Sequence, residues 1–198
     1  SVFDGSGITG AANNVLIQGN WIGINSTGHS ILANKSSGIN FGNNGFELLT
    51  YDNIQILDNV ISGNGTTGGL NFSGGIVIGG SENAGLNELI TDLVIKRNII
   101  GLSADGLLAI PNEDDGLFVG ASADGVTIGG IGDGNIISGN GENGITLGYD
   151  ISDVQILGNI IGLNTASTAA ISNGAQGISF TEPNHGGGGT VTNITIGG

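Results

Sequence analysis

Residues Gly134–Leu147 read GNIISGNGENGITL. An asparagine precedes two isoleucines, a Gly/Asn-rich turn follows, and then a glycine opens an alternating apolar run. The phrase Asn-x-Ile recurs at Asn20, Asn59, Asn98, Asn135 and Asn159. Short β-type runs precede four of the copies, at Val15–Ile17, Ile54–Ile56, Leu93–Ile95 and Val154–Ile156. A unit this short cannot bury its apolar face alone, so copies must stack and share a core.

Two forms of the phrase alternate. Asn20, Asn98 and Asn159 open Asn-x-Ile-Gly-[Leu/Ile]-[Asn/Ser], whereas Asn59 and Asn135 open Asn-x-Ile-Ser-Gly-Asn-Gly. Each leads to Gly plus an apolar alternation: Gly38–Phe41, Gly69–Phe72, Gly116–Val119, Gly144–Leu147 and Gly177–Phe180. Period-two runs of three to five residues broken by Gly and Asn indicate strands. Asn suits the corners because it tolerates positive φ and bonds to nearby backbone, and stacked corner amides would form a ladder.

Like strands must then pair in parallel, about 4.8 Å apart, which gives an all-β parallel β-helix (β-solenoid). Five complete coils and part of a sixth make a single domain over residues 1–198, a rod about 25–30 Å long. Corner spacings of 39, 39, 37 and 24 residues place insertions at Asn43–Asp52, Gly79–Thr91 and Ala121–Gly134. Ile196-Gly197-Gly198 repeats Ile128-Gly129-Gly130, and the chain reads as a segment of a longer repeat protein.

The strings GNIISGNGENGITL (Gly134–Leu147) and NIIGLNTASTAAISNGAQGISF (Asn159–Phe180) resemble the parallel β-helix repeats of the pectin-lyase-like superfamily, in the style of bacterial surface and secreted repeat proteins. The resemblance implies a right-handed helix with three sheets. The superfamily spans lyases, hydrolases, tailspikes and surface proteins, so it implies little about activity.

Composition narrows the partners. Seventeen acids face three bases (Lys35, Lys96, Arg97), for a net charge of −14. Three cations cannot build a phosphate-binding surface, and this charge disfavours anionic membranes. Neither nucleic acid nor membrane insertion is expected. There is no cysteine for a disulfide or a thiolate metal site.

Chemistry has few candidates. Glycoside hydrolysis needs carboxylates grouped on one face. Glu113-Asp114-Asp115 is the one acidic cluster. It offers Asp114 and Asp115 as a catalytic pair, all three residues as a weak Ca2+ site, or a solvated turn. No cofactor is otherwise required. A uronate lyase needs an outward base, for which Lys96 in Lys96-Arg97 is the candidate. His29 and His185 read as loop residues.

The outward strand positions are half apolar, and each corner Asn precedes an apolar residue: Trp21, Val60, Ile99, Ile136 and Ile160. This row is either covered or a contact stripe, with Trp21 and Phe118 as ligand-binding aromatics suited to sugar rings. The expected function is an extracellular, cell-surface structural or adhesive β-helix whose partner is a glycan or a neighbouring β-helix. The alternative is a polysaccharide hydrolase or lyase on the same scaffold.

Overall fold

The computed structural model describes residues 5–42, 49–65, 73–79, 88–120, 122–148, 150–180 and 190–198. His185 and the expected strand Gly69–Phe72 lie outside them.

Three parallel sheets wrap one apolar core. The first stacks Ile8–Thr9, Ile39–Phe41, Ile76–Ile78, Leu117–Val119, Ile145–Leu147 and Ile178–Phe180. The second stacks Val15–Gln18, Leu49–Leu57, Glu88–Lys96, Ala123–Gly129, Ile151–Leu157 and Val191–Gly197. The third stacks Trp21–Ile22, Val60–Ile61, Ile99–Ile100, Ile136–Ile137 and Ile160–Ile161. The chain visits the sheets in that order, completing five circuits and two strands of a sixth. No helix occurs among the described residues.

Register follows the inward isoleucines and their equivalents. Ile54, Leu93, Val126 and Val154 pair in one row, and Ile56, Ile95, Ile128 and Ile156 in the next. All eight are buried, while Gln55, Val94, Thr127 and Gln155 between them face outward. Ile61, Ile100 and Ile137 close the core from the third sheet. Full burial of each such side chain contributes about 1.5–3 kcal/mol, and a one-residue slip would turn every one of them outward. Phe41 and the wholly buried Tyr51 meet edge to face within this core, centroids 6.3 Å apart.

Left-handed residues also stack. Asn14, Asn53, Asp92, Gly125, Asp153 and Asn193 each bulge the second sheet at the same level, with φ between 52° and 73°. Gly19, Asp58, Arg97 and Gly158 occupy the left-handed region immediately before a corner Asn. Short Asx side chains tolerate this conformation by bonding locally, which accounts for Asp58, Asp92, Asp150 and Asp153 as turn formers.

Three expectations need correction. The strand of the first sheet that follows Asn59 is Ile76–Ile78, in register with Ile39–Phe41. Leu49–Asp52 and Glu88–Thr91 are not inserted loops but the leading halves of long strands that pair with each other. Ala121–Gly134 holds the regular strand Ala123–Gly129, so the insertion there is only the loop before Asn135. In that loop Ile131 stands 88% exposed.

Candidate functional site

The corner asparagines form a continuous ladder. Nδ2 of Asn20, Asn59, Asn98 and Asn135 donates to Oδ1 of the next corner at 3.1, 3.0, 2.9 and 2.9 Å. Each backbone N–H donates to that same oxygen at 2.9–3.0 Å. From Asn59 onward, each Nδ2 also reaches back to the carbonyl of Ile17, Ile56, Ile95 or Ile128 in the preceding coil.

A second ladder, which the Asn-x-Ile phrase does not reveal, runs through Asn34, Asn64, Asn112, Asn140 and Asn173, with rungs of 2.8–3.0 Å. Both ladders lie mostly buried. Buried amides require full pairing, and here each coil satisfies the next.

The two forms of the repeat differ by an outward hairpin. In the short form the two ladder asparagines are five residues apart (Asn59 and Asn64, Asn135 and Asn140), and in the long form fourteen. The extra residues fold back through the bridges Ile24↔Ile31, Leu102↔Ala109 and Leu163↔Ala170. Because long and short coils alternate, hairpins two coils apart stack directly. Ala104 N–H donates to Gly28 O at 2.9 Å, and Thr165 N–H to Gly106 O at 3.2 Å. The serine of each short form lies beneath them: Ser62 and Ser138 hydroxyls donate to the Leu102 and Leu163 carbonyls at 2.7 and 2.8 Å. The long form requires glycine at that place. Gly101 has φ +90°, and a Cβ there would press on Ser138 O and lie 2.5 Å from Asn140 Oδ1.

The apolar row after the corners faces outward, beneath these hairpins. Val60 is buried with Ile24 and Ile110 in a satellite cluster against Ile99 and Ala104, and Ile136 and Ile160 are half-buried. The row is therefore covered except at Trp21, which is 50% exposed and lines a shallow cavity at the first coil. Phe118 is half-buried in the outward row of the first sheet, between the buried Val77 and Thr146.

The acidic triplet diverges. Asp114 Oδ2 accepts the Ser73 N–H at 2.7 Å from one neighbouring coil, and Asp115 Oδ1 accepts the Asn143 N–H at 2.8 Å from the other. Burial raises the pKa of Asp115, opposed by hydrogen bonds from Thr146 and Asn143. No group of three His, Cys, Asp or Glu side chains among the described residues is placed to hold a metal ion.

Lys96 and Arg97 lie in a charged chain across coils. Arg97 grips Asp58 through Nε (2.7 Å) and Nη2 (3.0 Å), and Asp133 through Nη1 (3.0 Å). Lys96 Nζ is 3.8 Å from Asp133. The guanidinium and the Gln18 amide hold Asp58 below the usual carboxylate range.

His29 Nε2 meets Asp105 Oδ2 at 2.9 Å between the first and second hairpins. That bond and the Thr27 carbonyl raise the histidine pKa, while Ser103 and His29 lower Asp105 to about 2. Comparison with family models, with curated proteins and with solved structures returns no match.

Proposed function

We propose that the chain is a stiff structural or adhesive segment of an extracellular surface protein, a right-handed β-helix of the pectin-lyase-like kind. The observation that carries this reading is where its chemistry-bearing side chains go. Asp58, Arg97, Asp114, Asp115 and both asparagine ladders each bond to a neighbouring coil, and Asp105 bonds to the hairpin two coils away. Side chains held in that way stiffen a rod, whereas an acid–base pair must converge on a substrate.

The stacked hairpins supply the contact face. They expose Ile31, Leu32, Leu107 and Leu108 to solvent, Leu32 lines a cavity with Trp21, and exposed apolar side chains suit a partner surface or the faces of sugar rings. A net charge of −14 favours neutral or basic partners over uronate polymers.

The test is a glycan-array and turnover screen with and without Ca2+, comparing the parent with Leu107→Ser/Leu108→Ser and Asp115→Asn. Binding without turnover, weakened by the leucine substitutions, supports the proposal. Polysaccharide cleavage abolished by Asp115→Asn would overturn it in favour of an enzyme.

A further inference from the structure

The short form of the repeat ends in Asn-Gly, at Asn64-Gly65 and Asn140-Gly141, and both asparagines are rungs of the second ladder. Asn-Gly is the dipeptide most prone to lose side-chain ammonia, because a following residue without Cβ lets its nitrogen approach the Asn Cγ. The corner ladder avoids that hazard, since its asparagines precede Trp21, Val60, Ile99, Ile136 and Ile160. The second ladder does not. Glu113 stands between the two glycines in the stack. A Cβ on Gly65 would lie 2.7 Å from the Glu113 Cβ, and one on Gly141 would press on the Glu113 carbonyl oxygen. Close stacking therefore dictates glycine after Asn64 and Asn140.

The same stacking ties down both reacting groups. Gly65 N–H donates to Asn34 O at 3.0 Å and Gly141 N–H to Asn112 O at 2.9 Å, so each nucleophile is bonded to the preceding coil. Each carboxamide is fixed from both sides. Asn64 Oδ1 accepts Asn34 Nδ2 at 2.8 Å, and Asn64 Nδ2 donates to Asn112 Oδ1 at 2.9 Å. Asn140 Oδ1 accepts Asn112 Nδ2 at 2.9 Å, and Asn140 Nδ2 donates to Asn173 Oδ1 at 3.0 Å. The two residues are 0% and 2% exposed, which keeps water and base away while the rod is closed.

We infer that Asn64 and Asn140 are latent modification sites, shut while the coils stack and converted irreversibly to aspartate and isoaspartate when a coil opens. On opening, the glycine nitrogen attacks Cγ and gives up its proton through base to the departing amide nitrogen. The new N–Cγ bond closes a five-membered succinimide as the Cγ–Nδ2 bond breaks and ammonia leaves. Water then adds to either ring carbonyl and reopens the ring. Either product carries a carboxylate with no N–H to donate toward Asn112 Oδ1 or Asn173 Oδ1. An anion facing an unpaired acceptor in the interior disfavours closing the ladder at that coil. Each site thus records an opening of its coil, whatever the rod binds.

The test incubates the 198-residue chain in heavy-oxygen water at mildly alkaline pH, folded and in guanidinium, and follows label at each asparagine by peptide mass spectrometry. In guanidinium, Asn64 and Asn140 should convert before Asn34 and Asn112, the ladder partners that precede Lys35 and Glu113. In the folded chain both should convert at least about a hundredfold more slowly, because enclosed segments open at a free energy approaching the global one. At graded guanidinium below the unfolding midpoint, the conversion rates should rise in step with hydrogen exchange of the Gly65 and Gly141 amides. Three results would overturn the inference: equal rates in folded and unfolded chain, conversion while the Gly65 and Gly141 amides stay protected, or no preference over Asn34 and Asn112 in guanidinium.

Discussion

Asn98→Ala probes the ladder where it is most enclosed. Asn98 Oδ1 accepts the Asn59 N–H at 2.9 Å and the Asn59 Nδ2 at 3.0 Å, and Asn98 Nδ2 donates to Ile56 O at 2.8 Å. Both asparagines are 1% exposed, so water cannot replace the lost partner. Alanine leaves the Asn59 N–H orphaned in the interior, which costs about 1–3 kcal/mol, and removes three further bonds, with Asn59 Nδ2, Ile56 O and Asn135 Oδ1, worth about 0.5–1.5 kcal/mol each. The sum is about 2.5–7.5 kcal/mol, a large share of the stability of a domain this size. Asn20→Ala at the exposed first coil removes only side-chain bonds to Asn59 Oδ1 and Gln18 O, for about 0.5–1.5 kcal/mol. Urea unfolding followed by far-UV circular dichroism measures both. Equal losses at the two positions, or a loss below about 0.5 kcal/mol at Asn98, would refute the assignment of the ladder as a principal tie between coils.

Glycine supplies a second contrast: Gly101→Ala must press its Cβ into the next coil and should cost about 2–3 kcal/mol or more, while Gly162→Ala, with φ +78° and nothing within 4 Å, should cost about 1 kcal/mol, both read from shifts in the urea midpoint. Ser138→Ala removes the bond to Leu163 O and should cost about 1–2 kcal/mol by the same measurement. His29 should titrate above its ordinary 6.5 in an NMR pH series and fall back in Asp105→Asn; because folding raises its pKa, its contribution is complete below the unfolded value and is lost as pH rises through the folded one. Asp115 shifts in the same direction: burial raises its pKa, so its protonation on acidification favours the folded state. Asp115→Asn should therefore be neutral or stabilising at pH 7 in thermal unfolding.

Much of the fold was legible because stacking repeats each constraint. The inward isoleucines, the first ladder and the parallel pairing all follow from a five-fold Asn-x-Ile and period-two alternation. The second ladder was harder to see. Asn34, Asn112 and Asn173 stand after a hairpin, so their distance from the corner differs by nine residues from that of Asn64 and Asn140. The signal was an Asn four residues before the glycine that opens a strand, as in Asn112–Gly116, Asn140–Gly144 and Asn173–Gly177. The strand Ala123–Gly129 was masked by the loop that separates it from Asn135, where other coils run directly into the corner.

The fate of Glu113-Asp114-Asp115 was not readable at all. Adjacency in sequence cannot say that Asp114 turns to Ser73 and Asp115 to Asn143, because those partners are 41 and 28 residues away. The covering of the row from Val60 to Ile160, and the exposure of Trp21, depended likewise on which coils carry hairpins.

Side-chain amide hydrogen exchange of the ten ladder asparagines tests most directly whether polar side chains bind coil to coil. Slow exchange at Asn98, Asn112 and Asn135, fading toward Asn20 at the exposed first coil, is the predicted profile. Exchange of all ten at the rate of a free carboxamide would contradict it.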